Sequence, residues 1–300
     1  MAAWTSPVHQ LSVGSWGARD GELDRPCGLT VDRSGLLYVA DAGNGRVQVF
    51  GPELSFLRKF GQGEGGRFKK VGRLATPAGV AVDRAGTCYV SDVKGGILKY
   101  DGAGHYLGEF VARGKGKGQL DYPRGIYFNQ DGNLWVADSH SDRLQLFDPQ
   151  GLLLLVLGGP GSDPEGRGQF QRPSGLAIDS AGCLYITDTL NDRVQKFDPG
   201  GGFLGKFGAT GREEGKLWRP RGIAIDTWDR VYVVERMNHR VQVFDPDGHS
   251  LGAFGGEGKR DGQFREPYGI AIDEQSWVYV SDNLGNRVQS FALSAPSPSS

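Results

Sequence analysis

Apolar residues in this chain fall in alternating or continuous runs of four to six, each bounded by Gly, Asp-Pro or Asp-Gly. That pattern predicts short antiparallel strands joined by tight turns. Between residues 173 and 207 it predicts four: Gly175 to Ile178, Leu184 to Thr187, Arg193 to Phe197 and Phe203 to Phe207. The connections are Asp179-Ser-Ala-Gly182, Asp188-Thr-Leu-Asn-Asp192 and Asp198-Pro-Gly-Gly. In turns such as Asp148-Pro-Gln-Gly151 and Asp245-Pro-Asp-Gly248, Pro supplies its fixed φ and Gly tolerates a positive one.

The succession repeats. From Pro26 it reads Asp32, Tyr38-Val39-Ala40-Asp41, then Arg46-Val47-Gln48-Val49-Phe50, and it restarts at Pro77, Pro123, Pro173, Pro220 and Pro267, prolines 51, 46, 50, 47 and 47 residues apart. A unit of this size cannot bury its own apolar face and must stack on its neighbours. Four strands per unit make a blade, placing blades near 26–60, 77–110, 123–157, 173–207, 220–254 and 267–291. The sixth unit stops at Phe291, before its fourth strand, while Gln10-Leu-Ser-Val-Gly-Ser-Trp16-Gly17 parallels the closing phrase Phe203-Leu-Gly-Lys-Phe207-Gly208. Residues 8–17 are therefore expected to complete blade 6, closing the ring and removing two exposed sheet edges. The expectation is all-β: one six-bladed β-propeller over 8–291, four antiparallel strands per blade, with a disordered Pro/Ser tail at 292–300.

Pro-x-Gly-Ile-Ala-Ile-Asp, Tyr-Val-x-Asp-x-x-Asn-x-Arg-Val-Gln-x-Phe and the linker phrase Gly-x-Phe-x-x-Pro together resemble the NHL-repeat family of six-bladed β-propellers, over residues 8–291. The resemblance implies no single activity. Members include RNA- and protein-binding domains of tripartite-motif proteins, sensor domains of bacterial kinases and a zinc lyase.

Composition narrows the classes. The 49 glycines fit many tight turns, and Cys27, Cys88 and Cys183 form no CxxC pair, so neither a disulfide framework nor a zinc knuckle is supported. A reducing, cytoplasmic setting is expected. The N-terminus lacks a basic-then-apolar leader, and the longest apolar run, Leu152 to Leu157, is too short to span a membrane. That run is expected as the outer strand of blade 3, with an apolar face outward.

Asp41, Asp138, Asp188, Glu235 and Asp282 stand five residues before Arg46, Arg143, Arg193, Arg240 and Arg287. A carboxylate at that spacing can cap turn amides while the guanidinium reaches it, and a residue repeated in every blade serves a need of every blade. These pairs are read as structural turn clamps. Blade 2 lacks the arginine, carrying Gly95-Gly96-Ile97 instead. The channel-lining strands, such as Leu29-Thr30-Val31 and Ile270-Ala271-Ile272, supply no Asp, Glu, Asn or His, so no metal, cofactor or catalytic residue is assigned. His140 and His239 are too few for the zinc site of a lyase and are read as exposed turn histidines.

Strand order puts the blade-to-blade linkers and the second-to-third-strand turns on one face, which carries 26 Lys and Arg against 20 Asp and Glu, net +6. The other face carries Arg33, Arg84 and Arg230 against 14 acids, net −11, largely because Asp suits those turns. The basic linkers include Arg67-Phe-Lys-Lys70 and Arg113-Gly-Lys-Gly-Lys117. On the same face Tyr122, Trp218 and Tyr268 flank linker prolines beside Arg124, Arg172, Arg219 and Arg221. Arginines beside exposed rings suit a protein hot spot or stacked single-stranded RNA. The sequence therefore reads as a monomeric, non-enzymatic scaffold that binds a protein on its linker face through these seven residues, with no membrane association. Single-stranded RNA on the same face is the first alternative, and a metal-dependent lactonase- or lyase-like site at the channel mouth the second.

Overall fold

A computed structural model of the chain describes residues 5–64, 71–159 and 166–293. Among them are six four-stranded antiparallel sheets, five of them running in chain order from an inner to an outer strand. Blade 4 consists of Pro173–Ile178, Leu184–Asp188, Arg193–Phe197 and Phe203–Phe207. Blade 6 takes Pro267–Ile272, Trp277–Asp282 and Arg287–Ala292 from the C-terminal end and Val8–Val13 from the N-terminal end. Val8 pairs with Ala292 and Val13 with Val288. The closing strand is thus shorter than 8–17; Trp16 bridges Leu23 in the first linker instead. Residues 294–300, where the tail is expected, lie outside the described residues, as do Arg67 to Lys70.

Apolar side chains of adjacent blades meet in six clusters. In one, Tyr38, Val47 and Val49 of blade 1 pack on Val80, Val90 and Tyr100 of blade 2, all buried. Near the axis the packing is backbone on backbone. A Cβ on Gly175 would stand 2.4 Å from the Arg221 carbonyl oxygen of blade 5, and one on Gly269 would stand 2.5 Å from the Cys27 carbonyl oxygen of blade 1. Only glycine permits that approach, so Pro-x-Gly sets the radius of the ring.

Each linker is held by buried polar side chains of its own blade. In blade 4, Asp188 Oδ1 accepts the Gln171 N–H at 2.7 Å, and Oδ2 accepts Arg193 Nε at 2.7 Å, Asn191 Nδ2 at 2.8 Å and Gln195 Nε2 at 3.1 Å. Arg193 also donates to the Gly166 and Gln169 carbonyls, while Gln195 Oε1 accepts the Gly168 N–H. The set recurs around Asp41–Arg46, Asp138–Arg143, Glu235–Arg240 and Asp282–Arg287. In blade 2, Asp92 caps Thr76 and Lys94 without an arginine. Its preceding linker carries instead a small hairpin, Gln62–Glu64 with Val71–Arg73, that the apolar pattern did not predict.

Second ties run between blades. The residue before the linker proline is left-handed at Arg25, Tyr122, Arg172, Arg219 and Glu266. Four of these donate their N–H to a side chain of the preceding blade: Arg25 to Asn286, Arg172 to Asp142, Arg219 to Asp192 and Glu266 to His239. Hydroxyls of Ser91, Thr187 and Ser281 reach the next blade's Arg124, Arg221 and Cys27 carbonyls. The junction from blade 1 to blade 2 has Ala40 and Gly45 at the corresponding positions and neither tie among the described residues.

Asp188→Ala is expected to leave Arg193 buried without its carboxylate and to cost about 3–5 kcal/mol. Asp92→Ala, with no arginine to strand, is expected to cost about 1–3 kcal/mol. Denaturant unfolding of the two variants checks the difference; equal losses would refute the clamp as the source of the larger one.

Candidate functional site

The x residues of the six Pro-x-Gly phrases, Cys27, Ala78, Arg124, Ser174, Arg221 and Tyr268, open each inner strand on the linker face. Ala78, Ser174, Arg221 and Tyr268 line an axial cavity of about 300 Å³ whose walls below are the apolar inner strands, and Arg124 reaches it through Tyr268. Among the described residues, no carboxylate lines it.

Blades 3 and 6 face one another across the ring, and their side chains meet over the axis: Arg124 Nη1 donates to the Tyr268 hydroxyl. The Arg124 guanidinium lies 5.0 Å from the Tyr122 ring centre and 5.8 Å from that of Tyr268, and Arg221 lies 5.5 Å from Tyr268. Tyr122 stacks in parallel on His140 at 4.1 Å. The result is a continuous row, His140, Tyr122, Arg124, Tyr268, Arg221, across the mouth. Each cation–π contact in so partly desolvated a place is worth about 0.5–2 kcal/mol.

The row unites four of the seven sequence-predicted residues. Trp218 carries a different cation, Arg212 at 4.9 Å, and no side-chain contact among the described residues joins it, Arg172 or Arg219 to the row. The backbone amides of Arg172 and Arg219 belong to the inter-blade ties. His239 is not a free turn residue: its Nδ1 accepts the Glu266 N–H at 3.1 Å. Cys27 and Ser174 were missed as mouth residues, although the x position read down the six repeats contains both. Trp16, 75% exposed on the same face, was also missed; it stands where other linkers carry Arg113, Thr210 or Glu257.

Electrostatics at the mouth follow from burial among cations. Desolvation pushes Arg221 down to about 10, with Arg124 and Arg236 adding to the shift and Tyr268 opposing it. Burial pushes the Cys27 thiol up to about 11 even though Arg124 and Arg221 favour the thiolate, so the sulfur is neutral and supplies neither a counter-charge nor a nucleophile. Burial first, then Arg172, lowers the His140 imidazole.

The opposite end of the channel is acidic but satisfied. A cavity of about 590 Å³ there is bordered by Asp32, Asp83 and Asp179, whose carboxylates accept amides of their own turns. The Asp245, Asp247, His249 group lies in an outer turn, with Asp245 already accepting both following amides and the imidazole. Leu154 is exposed on the outer strand of blade 3, as are Leu57, Leu107 and Leu204 in other blades, so the Leu152–Leu157 run forms no distinctive patch.

A folded-state value below the ordinary 6.5 means that the unfolded chain binds the His140 proton more readily. The stability held by this group is complete above about pH 6.5 and is lost as pH falls through the lower folded value. Asp121 and Asp138 oppose the shift, Arg172 and Arg124 support it. An NMR titration of His140 is expected to give a midpoint below 6.5, moving upward in Arg172→Gln; a midpoint above 6.5 would refute the account.

Four segments match the NHL repeat family model: residues 23–50, 120–147, 170–197 and 217–244, each running from linker to third strand. They are four of the five blades that hold a complete clamp. Protein brain tumor of Drosophila melanogaster is 30% identical over 154 residues, 50% of this chain and 14% of that protein. E3 ubiquitin-protein ligase TRIM71 of Bos taurus is 51% identical over 49 residues, 16% of this chain and 6% of that protein. The chain thus matches a small part of the length of these relatives. A streptogramin B lyase structure superposes with a TM-score of 0.64 at 13% identity, covering 98% of this chain and 100% of that one, a likeness of fold alone. Six closed blades with the repeated linker clamp, together with the four matched segments, make this chain an NHL-repeat β-propeller.

Proposed function

We propose that the propeller is a non-enzymatic binding platform that receives a protein partner on its linker face. The observation that carries this reading is the cation–aromatic row at the channel mouth, where Arg124 and Arg221 are half-buried with no carboxylate of the described residues beside them. Clamps and glycines repeat from blade to blade, whereas the mouth and linkers vary, which is where recognition resides on a repeat scaffold. Arg and Tyr clustered at the centre of a face, with Trp16 and Trp218 at its rim, have the composition of an interface hot spot. The similarity to part of an E3 ubiquitin-protein ligase fits a module serving a larger assembly.

Single-stranded RNA is the second reading, favoured by the net +6 face and by Arg113, Lys115 and Lys117. Against it, the rings needed for base stacking are engaged: Tyr122 with His140 and Arg124, Tyr268 with two guanidiniums, Trp218 with Arg212. A metal-dependent lactonase or lyase would need convergent oxygen or imidazole donors, and among the described residues the cavity wall offers no carboxylate and no histidine.

Affinity capture should return partners with wild-type protein and with Asp131→Lys plus Asp247→Lys on the acidic face, and lose them with Arg124→Glu plus Arg221→Glu. Partners indifferent to the mouth variant would move the site elsewhere. A salt-dependent mobility shift with short single-stranded RNA, abolished by the mouth variant, would favour the RNA reading instead.

A further inference from the structure

The two arginines at the mouth differ from the five clamp arginines of the blades. Arg46, Arg143, Arg193 and Arg287 rest on carboxylates at 2.7 to 3.1 Å, and Arg240 rests on Glu235. Arg221 donates no side-chain hydrogen bond to any described residue, and its Nε is buried without a partner. Arg124 spends one nitrogen on the Tyr268 hydroxyl, and its Nε is likewise buried and unpartnered. Arg236 nearby is already neutralised by Glu266 at 2.8 Å. Having accepted from Arg124, the Tyr268 hydroxyl keeps its own proton, for which no described residue is an acceptor. Two cations and a free O–H are therefore gathered at Tyr268.

We infer that the channel mouth is a carboxylate pocket, in which Arg124, Arg221 and Tyr268 hold a single Asp or Glu side chain that a partner protein inserts along the propeller axis. The inference rests on reading this face as a protein-binding platform and gives that platform its recognition determinant. A buried guanidinium without an anion is costly, and a carboxylate is the fork-shaped acceptor that offsets the cost. The geometry also favours a side chain over a nucleic-acid backbone. Its two cations gather on one ring, that of Tyr268, rather than along a groove, and a cavity of about 300 Å³ sunk between six strands admits a carboxylate on a methylene stem. A backbone phosphate could enter only with its sugars.

The test uses the full chain with ¹⁵N-labelled arginine and follows the Nε–H resonances of Arg124 and Arg221. The probes are Ac-Gly-Gly-Glu-Gly-Gly-NH2, its Gln counterpart, inorganic phosphate and a short oligouridylate. The Glu peptide is expected to shift both resonances saturably and the Gln peptide neither. Arg221→Gln should weaken the Glu peptide about tenfold or more, the factor carried by one charge-assisted hydrogen bond. Folding of that variant is checked independently: loss of an unpaired buried cation should raise its Tm by about 2 °C, a response a merely structural arginine would reverse. Neither resonance responding to the Glu peptide, an equal response to the Gln peptide, or tighter saturation by phosphate or oligouridylate would each overturn the inference. Partner capture at the mouth with an inert Glu peptide would leave the platform standing and remove the pocket. A responsive Glu peptide without partner capture would do the opposite.

Discussion

One buried carboxylate in each clamped blade holds the linker where it is. It accepts a linker amide on one oxygen and the third-strand guanidinium and amide on the other, and that guanidinium donates onward to linker carbonyls. Segments of a dozen or so residues without regular secondary structure are thereby fixed in place. Burial raises the carboxyls of Asp41, Asp138, Glu235 and Asp282 while their donors pull the other way, so the clamp specifies position more than it adds net stability. Every residue argued to recognise a partner sits on, or next to, backbone that this network fixes.

Because the clamp and the axial glycines carry the architecture, the residues between them are released from it. The x position of Pro-x-Gly shows this most clearly. Its carbonyl is pressed against the preceding blade's glycine and cannot vary, while its side chain points to the mouth and takes five different forms in the six blades. A binding site can thus be composed there from a thiol, a methyl group, a hydroxyl, a phenol and two guanidiniums at no cost to the ring.

The fold was legible because its signals are local and repeated six times, down to the missing fourth strand of blade 6 and its replacement by Val8–Val13. The site was legible only in part. Arg124, Arg221 and Tyr268 stood out by type, but Arg124 and Tyr268 are 144 residues apart and meet only because blades 3 and 6 lie opposite in a closed ring. The engagement of Tyr122 with His140 and the tie from His239 to Glu266 depend on side-chain direction, which no spacing encodes. The hairpin in the linker between blades 1 and 2 escaped because three-residue strands carry too short an alternation to read.

The ties between blades are also unevenly distributed. The junction from blade 6 to blade 1, where the two ends of the chain meet, has a side-chain tie from Asn286, a hydroxyl bridge from Ser281 and a further bond from Asn283. Among the described residues, the junction from blade 1 to blade 2 relies on packing and the glycine approach. A hoop under tension parts at its weakest joint, and here that joint lies one blade away from the chain ends. Mechanical or thermal opening would therefore begin inside the chain, between two covalently linked blades, and the hoop could spring back without having to find its lost end.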